Sequence, residues 1–595
     1  MVFRLLLFSL AYIPHSSAFF PYRTAWKTPL TAFVNKKRVV SSSSSSVSVS
    51  SANMTASDSD AYHDMVSASV DLTDIYERNG IITATRSVRD IDTNSRRQYL
   101  YNILVSGEES FVTAPIELSA KVKARIPSSS GSKLLVLVEE KVPESESTRH
   151  VIEIWTENGQ RLSNRIALPK EEHGKICTDF AWFGGISWSP DESAIVYTAE
   201  VNRPKASSFF ADHSGDDIVG GQFTLGVGKR EDWGEKYTDT ALLALFVLNV
   251  ETGNVRIVRN VPGSDVYDRS SREGGFVLGQ PIWSPCGNSV VYVGWDAGEG
   301  ADMPRRLGAI YCFQRPCKIY SSSVKMLVKD LSQSASGEVI GDDPFECITP
   351  SDRLARSPRF SRPKNGTSTL AYLANEKGFD THGGCMALCT NRWDTSTSMI
   401  VKDSKRVVVE VVQRPGDVGD GTKVHGYEFP GLFLHQLPRE CFTNDGEHIV
   451  TTTEWGSVNK VISISVKDKN EVLPINFDLT GTGLHASQQF CGFTADGAMA
   501  IVTQTEPNRP KVIGLLKCPL QRDSTVSKTI ANLPPIAASS FANRSVFEPG
   551  TGFSSRLLIS QPDHGDIKEP ISSILLLPDG AVDAEKLPLI VVPHG

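Results

Sequence analysis

Five stretches of the chain repeat one imperfect pattern, and that pattern limits what it can fold into. Residues 186–199 read ISWSPDESAIVYTA and residues 282–295 read IWSPCGNSVVYVGW. The form returns at 358–374 (PRFSRPKNGTSTLAYLA), 440–453 (ECFTNDGEHIVTTT) and 491–505 (CGFTADGAMAIVTQT). Each joins an apolar or aromatic residue to Ser or Thr, then to turn residues such as Pro, Asp, Asn and Gly, then to an apolar run. Physically this is strand, tight turn, strand. LNVETGNVRIV at 248–258 supplies a second hairpin of the same kind. Runs at 133–139, 194–198, 243–250, 255–258 and 461–466 carry strand signals, and long helical periodicity is scarce. Hairpins recurring at this spacing, stretched by insertions, predict an all-β β-propeller. The competing reading is a set of unrelated hairpins in a β-sandwich.

The N-terminal 57 residues have a different texture. They hold Arg4, Arg23, Lys27, Lys36, Lys37 and Arg38 and no acidic residue, whereas the whole 595-residue chain has a net charge of −7. Residues 1–18 resemble a signal peptide, with an apolar run at 2–13 too short to span a bilayer. Residues 19–57 form a basic, Ser-rich segment like a transit peptide. Together they resemble the two-part plastid presequence of diatoms and related algae. The expectation is import into a plastid; the alternative is a cytoplasmic form started at Met54. Residues 58–85 are expected to be a linker or helical extension, 86–560 the propeller, and 561–595 the start of a further domain. The acidic body argues against nucleic-acid binding, and no later apolar run reaches spanning length.

Most catalytic signatures are absent. There is no H-E-x-x-H and no phosphate-binding P-loop. Gly416, Gly419 and Gly421 read as a surface turn. Gly184-Gly185-Ile186-Ser187-Trp188 lacks the second Gly of a nucleophile elbow. The ten cysteines show no C-x-x-C and no zinc spacing, so they read as reduced thiols; Cys312/Cys317 and Cys385/Cys389 are the close pairs. No metal site or organic cofactor is expected.

At the C-terminus an apolar run, 571–577, is followed by Pro578-Asp579-Gly580 and then by LPLIVVPHG. An apolar strand ending in Pro-His-Gly is how the oxyanion loop of many α/β-hydrolases begins. Arg203-Pro204-Lys205-Ala206-Ser207-Ser208-Phe209-Phe210, Asp232-Trp233-Gly234-Glu235, Val293-Gly294-Trp295, Arg306-Leu307-Gly308 and this final segment resemble the acylaminoacyl-peptidase family within the prolyl oligopeptidases. The resemblance runs from about residue 95 to the last residue. It implies a propeller of about seven blades ahead of an α/β-hydrolase domain. It also implies a serine exopeptidase that releases N-acylated amino acids from short blocked peptides, with a Ser, His and Asp triad.

The triad of such proteins lies beyond residue 595, so no catalytic residue is assigned here and the chain alone is expected to be inactive. His594 and Gly595 start the oxyanion loop without completing it. Arg203, Lys205, Asp232, Trp233 and Glu235 read either as a structural loop or as part of substrate access. The ending inside a strand-to-loop signature points to truncation. The resemblance leaves room for a homo-oligomer. The alternative function is a non-catalytic propeller that binds or regulates a partner.

Overall fold

The computed structural model describes residues 71–592, with breaks at 91–92, 107–108, 144–146, 158, 171, 202–242, 263–275, 297–315, 333–344, 378–383, 482–485, 508, 531–552, 561–570 and 579–590. Among the described residues the chain is almost wholly antiparallel sheet, with one helix at Lys325–Ser332. The strands follow one another as up-and-down meanders, and seven of these form the blades of a propeller, the fourth and fifth joined into one sheet by the parallel pairing of Cys317 with Leu354.

Blade 1 comprises Asp71–Arg78, Ile81–Asp90 and Ser95–Ser106, edged by Glu109–Val112 and Ile116–Leu118. Blade 2 runs Val122–Pro127, Lys133–Lys141, Thr148–Thr156 and Arg161–Ala167. In blade 3, His173–Ile176 and Ile186–Trp188 both pair with Ala194–Val201, followed by Leu243–Asn249 and Val255–Ile257. Blade 4 is Phe276–Trp283, Ser289–Asp296, Cys317–Ser323 and Glu346–Cys347. Blade 5 is Leu354–Phe360, Thr367–Asn375, Ala387–Asp394 and the short pair Met399–Ile400 and Arg406–Val409. Blade 6 opens with a bridge from Phe442 to Ile449 and continues through His448–Trp455, Val458–Ser465 and Val472–Pro474. Blade 7 is Ser487–Phe493, Met499–Glu506, Arg509–Lys517 and Val526–Ile530.

The sequence repeat is the hairpin between the first and second strands of blades 3 to 7. Its Ser or Thr has the same role each time. Ser189 Oγ accepts the Ala194 N–H at 2.9 Å, Ser284 Oγ that of Ser289 at 3.1 Å, and Ser361 Oγ that of Thr369 at 2.9 Å. Thr443 and Thr494 hold His448 and Met499 in the same way, at 3.1 and 3.0 Å. The hydroxyl thus adds a second bond to a turn that the backbone also closes, as from the Ser284 N–H to the Ser289 carbonyl at 2.8 Å. Blade 2 repeats the device through Ser128 and Lys133, at 3.0 Å. Five of these turns hold a glycine with positive φ: Gly131, Gly287, Gly366, Gly446 and Gly497.

Blade-to-blade packing is apolar. Leu135 and Ile152 of blade 2 share one buried cluster with Tyr197 and Phe246 of blade 3. The ring closes where Leu72, Ile75, Ile82 and Ile103 of blade 1 meet Ile501, Ile513, Leu515 and Ile530 of blade 7. Each fully buried aliphatic side chain contributes about 1.5–3 kcal/mol. Lys511 Nζ adds an ion pair to Asp71 at 3.1 Å. Among the described residues no strand of blade 1 pairs with a strand of blade 7, so side chains close the ring.

This closure corrects the expected boundaries. The propeller begins within the stretch read as a linker or helix. Asp71–Arg78 is a strand because Leu72 and Ile75 are pulled onto blade 7, which outweighs the local helix-capping signals. Residue 560 is not a boundary either, since Phe553–Ser560 pairs with Ile571–Pro578 in one hairpin. Val591 and Val592 are exposed and belong to no strand.

Candidate functional site

The innermost strand of each blade lines the ring's axis. Several of these strands carry a β-bulge. In blades 1, 4 and 5 the bulge puts Asp74, Gln280 and Ser357 at φ of 49°, 50° and 60°. Positive φ is strained for residues with a Cβ and persists only where the surroundings hold it. Here hydrogen bonds do so. Gln280 donates through Nε2 to the Trp182 carbonyl at 2.6 Å, and its Oε1 accepts the Ser357 N–H at 2.7 Å. Ser357 Oγ in turn accepts the Leu437 N–H at 2.8 Å. The relay joins blades 3, 4, 5 and the entry to blade 6.

Gly279 and Gly185 make this close approach feasible. A Cβ on Gly279 would lie 2.1 Å from the Phe183 carbonyl oxygen, and one on Gly185 would lie 2.5 Å from Pro281. Gly184, in the segment resembling a nucleophile elbow, is equally a packing glycine: its Cβ would meet the Cys177 carbonyl oxygen at 2.7 Å. Ile186–Trp188 is a strand, not a strand-to-helix turn.

The axis is rich in arginine. Arg359 donates to the carbonyls of Pro358, Pro438 and Leu437 at 2.7, 2.9 and 2.6 Å. Burial pushes its pKa down to about 10. Arg356 lies over the Trp182 ring at 6.0 Å, and Trp182 packs on His435 at 4.3 Å between ring centres. Asp74 is exposed, yet crowding by protein raises its pKa, while Arg439 and Arg125 oppose that rise. Arg439 leads into blade 6, and its neighbour Glu440 is bonded to Arg78, on the same strand as Asp74. Arg439 is itself lowered by crowding, with Glu440 and Asp74 opposing.

The two faces of the ring differ. First-to-second strand turns emerge on one face, here the turn face. There Arg78 of blade 1 donates to the Ser128 carbonyl of blade 2 at 3.4 Å and to Glu440 of blade 6. Second-to-third strand connections emerge on the opposite face, here the loop face. The C-terminal hairpin sits on the loop face. A small cavity between Ser457, Val458, Pro507, Ser555, Leu557 and Ile574 marks where it meets blades 6 and 7. Leu558, Ile559, Ile571 and Ile574 of the hairpin are exposed, as are Val591 and Val592.

Arg203, Lys205, Asp232, Trp233 and Glu235 lie outside the described residues, as do His594 and Gly595. The chain leaves blade 3 at Val201 and re-enters it at Leu243, and both strand ends lie on the loop face. Among the described residues no group of three or more His, Cys, Asp or Glu side chains is placed to hold a metal ion. The nine described cysteines are free, Cys385 and Cys389 included; Cys312 lies outside the described residues. Burial pushes Cys177, Cys389 and Cys441 up to about 12, so they are unreactive thiols at neutral pH. No described helix is long and apolar enough to cross a membrane.

What this arrangement offers chemically is guanidinium N–H donors, of which Arg125 Nη1 is buried without a hydrogen-bond partner among the described residues. Sequence reasoning misses the pore residues because each blade contributes one or two, far apart in the chain. The signal that could have found them is register: Arg359 falls at the leading edge of one repeat, and Arg439 directly precedes another.

Comparison with known proteins gives the context. The profile of the acylamino-acid-releasing enzyme N-terminal domain matches residues 33–491. The acylamino-acid-releasing enzyme of Arabidopsis thaliana is 29% identical over 391 residues, covering 63% of this chain and 46% of that protein. That of Rattus norvegicus is 26% identical over 524 residues, covering 84% of this chain and 61% of that protein. A solved acylaminoacyl peptidase in complex with Z-Gly-Gly-Phe-chloromethyl ketone superimposes with a TM-score of 0.47 at 11% identity, over 87% of this chain and 59% of that one. The chain spans about half to three fifths of the length of the curated relatives it matches.

Proposed function

This chain belongs to the family defined by the acylamino-acid-releasing enzyme N-terminal domain, and from that premise we propose that it is the propeller part of a serine exopeptidase. The reaction proposed is release of an N-acylated amino acid from the N-terminus of a short blocked peptide. The observation that carries the proposal is the family match over residues 33–491. The apolar hairpin left exposed on the loop face supports it. Leu558, Ile559, Ile571 and Ile574 form a surface that a following α/β-hydrolase domain would cover. In this reading that domain supplies nucleophile, base and oxyanion hole. The propeller stands over them and restricts entry.

The 595-residue chain alone is proposed to be inactive. It is tested with a chromogenic acetyl-amino-acid anilide. The expected result is release no faster than a vector control, with release appearing when the chain is followed by its hydrolase domain. Release by the chain alone overturns the proposal of inactivity. No release by the extended protein overturns the peptidase reading and favours a non-catalytic binding module.

Residues 1–57 are proposed to direct the protein to a plastid. Their basic, acid-free, Ser-rich composition supports this. A fluorescent protein fused behind them should accumulate there. Uniform cytoplasmic fluorescence would favour the form started at Met54.

A further inference from the structure

An N-acylated peptide has lost the charge of its α-amino group. Whatever its side chains, the one terminal charge it keeps is its C-terminal carboxylate. The pore holds a matching surplus of positive charge. Arg125 lies on the inner strand of blade 2, Arg359 on that of blade 5, and Arg439 leads into that of blade 6. Arg78, on the same strand as Asp74, bonds both the Ser128 carbonyl, just beyond Arg125, and Glu440, the neighbour of Arg439. Arg359 donates to the Pro438 carbonyl on the other side of Arg439. The four groups therefore share one region near the axis, and Arg125 and Arg439 both act on Asp74.

The arginines are not equally occupied. Arg359 is committed to three carbonyls. Arg125 keeps a buried Nη1 that makes no hydrogen bond among the described residues. A buried guanidinium N–H without a partner is costly and calls for an acceptor. Glu440 does not supply one, because it is bonded to Arg78 at the turn face. Asp74 is set against Arg125 and Arg439, and Glu440 against Arg439 and Arg78; with Arg359, four guanidiniums face two carboxylates, which leaves the group with excess positive charge.

Depth matters as well. Asp71 begins the inner strand of blade 1 at the loop face, and Asp74 lies three positions further in. At about 3.3 Å per residue this is about 10 Å, the span of about three residues of extended peptide. Beyond it, the Arg78–Glu440 ion pair joins blades 1 and 6, which are not neighbours, and so crosses the turn-face mouth.

We propose that Arg125 and Arg439 bind the C-terminal carboxylate of a short N-acylated peptide inside the pore, leaving its acylated end at the loop face. The site rests on the reading above in taking a blocked peptide as its ligand. It makes the propeller a ruler as well as a screen. A peptide of a few residues reaches the arginines with its carboxylate, and a blocked C-terminus forfeits the contact.

The test is calorimetric titration of the 595-residue chain with N-acetyl-trialanine, with its C-terminal amide, and with inorganic phosphate. The acid is expected to bind about tenfold more tightly than the amide, the effect of one charge-assisted contact. Arg125→Gln and Arg439→Gln should each weaken the acid about fivefold or more and leave the amide unchanged. Asp74→Asn should tighten the acid, a gain that misfolding cannot produce. Equal affinity for acid and amide, or phosphate binding as tightly as the acid peptide, would overturn the proposal. Charge-dependent binding without hydrolysis by the extended protein would remove the peptidase reading and keep the site. Hydrolysis with no acid-over-amide preference would do the reverse.

Discussion

Arg78 of blade 1 donates a hydrogen bond to Glu440 of blade 6, skipping the blade that lies between them in the ring. The stem of Arg78 rests on blade 2, where a Cβ added to Gly131 would lie 2.9 Å from its Cδ. One side chain therefore touches three blades. The Arg78 side chain is 13% exposed and that of Glu440 is 45% exposed. Solvent screening limits such a pair to about 1 kcal/mol. A double-mutant cycle of Arg78→Ala and Glu440→Ala in urea should give a coupling near that value. Arg78→Ala alone should destabilise more, because it also gives up the Ser128 carbonyl. A coupling of zero would mean that the bridge does not tie the blades.

Gln280 is the middle of the relay between inner strands. Gln280→Ala leaves the Ser357 N–H and the Trp182 carbonyl without these partners. The expected loss is about 3 kcal/mol, measured by urea denaturation. Gly279→Ala should be at least as harmful, because its methyl would strike a backbone oxygen that cannot swing aside. A wild-type midpoint in either variant would refute the relay as a support of the ring.

Blades 2 and 3 meet at a histidine. His150 Nδ1 accepts the Ile176 N–H at 3.0 Å, which requires that nitrogen to be unprotonated. Burial pushes His150 down to about 4, with Glu139 opposing and His173 assisting. The unfolded chain takes up this proton near pH 6.5, the folded chain only near pH 4. Stability is therefore full above about pH 6.5 and falls as pH drops between the two values, by on the order of 2–3 kcal/mol. Thermal melts from pH 7 to pH 4 should show it. His150→Asn keeps an acceptor and should flatten that part of the profile.

Asp352 is buried, and its partner is Lys405, with Nζ 2.8 Å from Oδ1. Lys405→Met leaves a buried carboxylate uncompensated and should cost about 3 kcal/mol. Asp352→Asn removes the charge that needed compensating and should cost less. The reverse order in chemical denaturation would show that the lysine, not the aspartate, is the group in need of a partner.

The hairpins of blades 3 to 7 are legible because their chemistry is local: a hydroxyl, a turn and an apolar run follow one another closely in the chain. Blade 2 is harder to read, since Ser128-Ser129-Ser130-Gly131 carries no Pro or Asp, although Ser128 makes the same bond. Blade 1 escapes a local reading because Asp71–Arg78 owes its extended form to isoleucines far along the chain, Ile501, Ile513 and Ile530. The pore is illegible for a related reason. Arg125, Arg359 and Arg439 come together only when the ring closes, and a lone arginine in a strand has no local signature. The motif at 203–235 carries the clearest family resemblance, yet its residues fall outside those described.

The seam between blades 1 and 7 has a mechanical consequence. Every other neighbouring pair of blades is tethered by the chain passing from one to the next. This pair is held by side-chain packing, with the Lys511–Asp71 pair at its edge and the Ala495 N–H on Glu77. Parting it ruptures no β-ladder among the described strands. Opening this seam would break the packing of Leu72 and Ile75 on Ile501 and Ile513, the Lys511–Asp71 pair and the Arg78–Glu440 bridge that spans it, while every blade keeps its internal pairing.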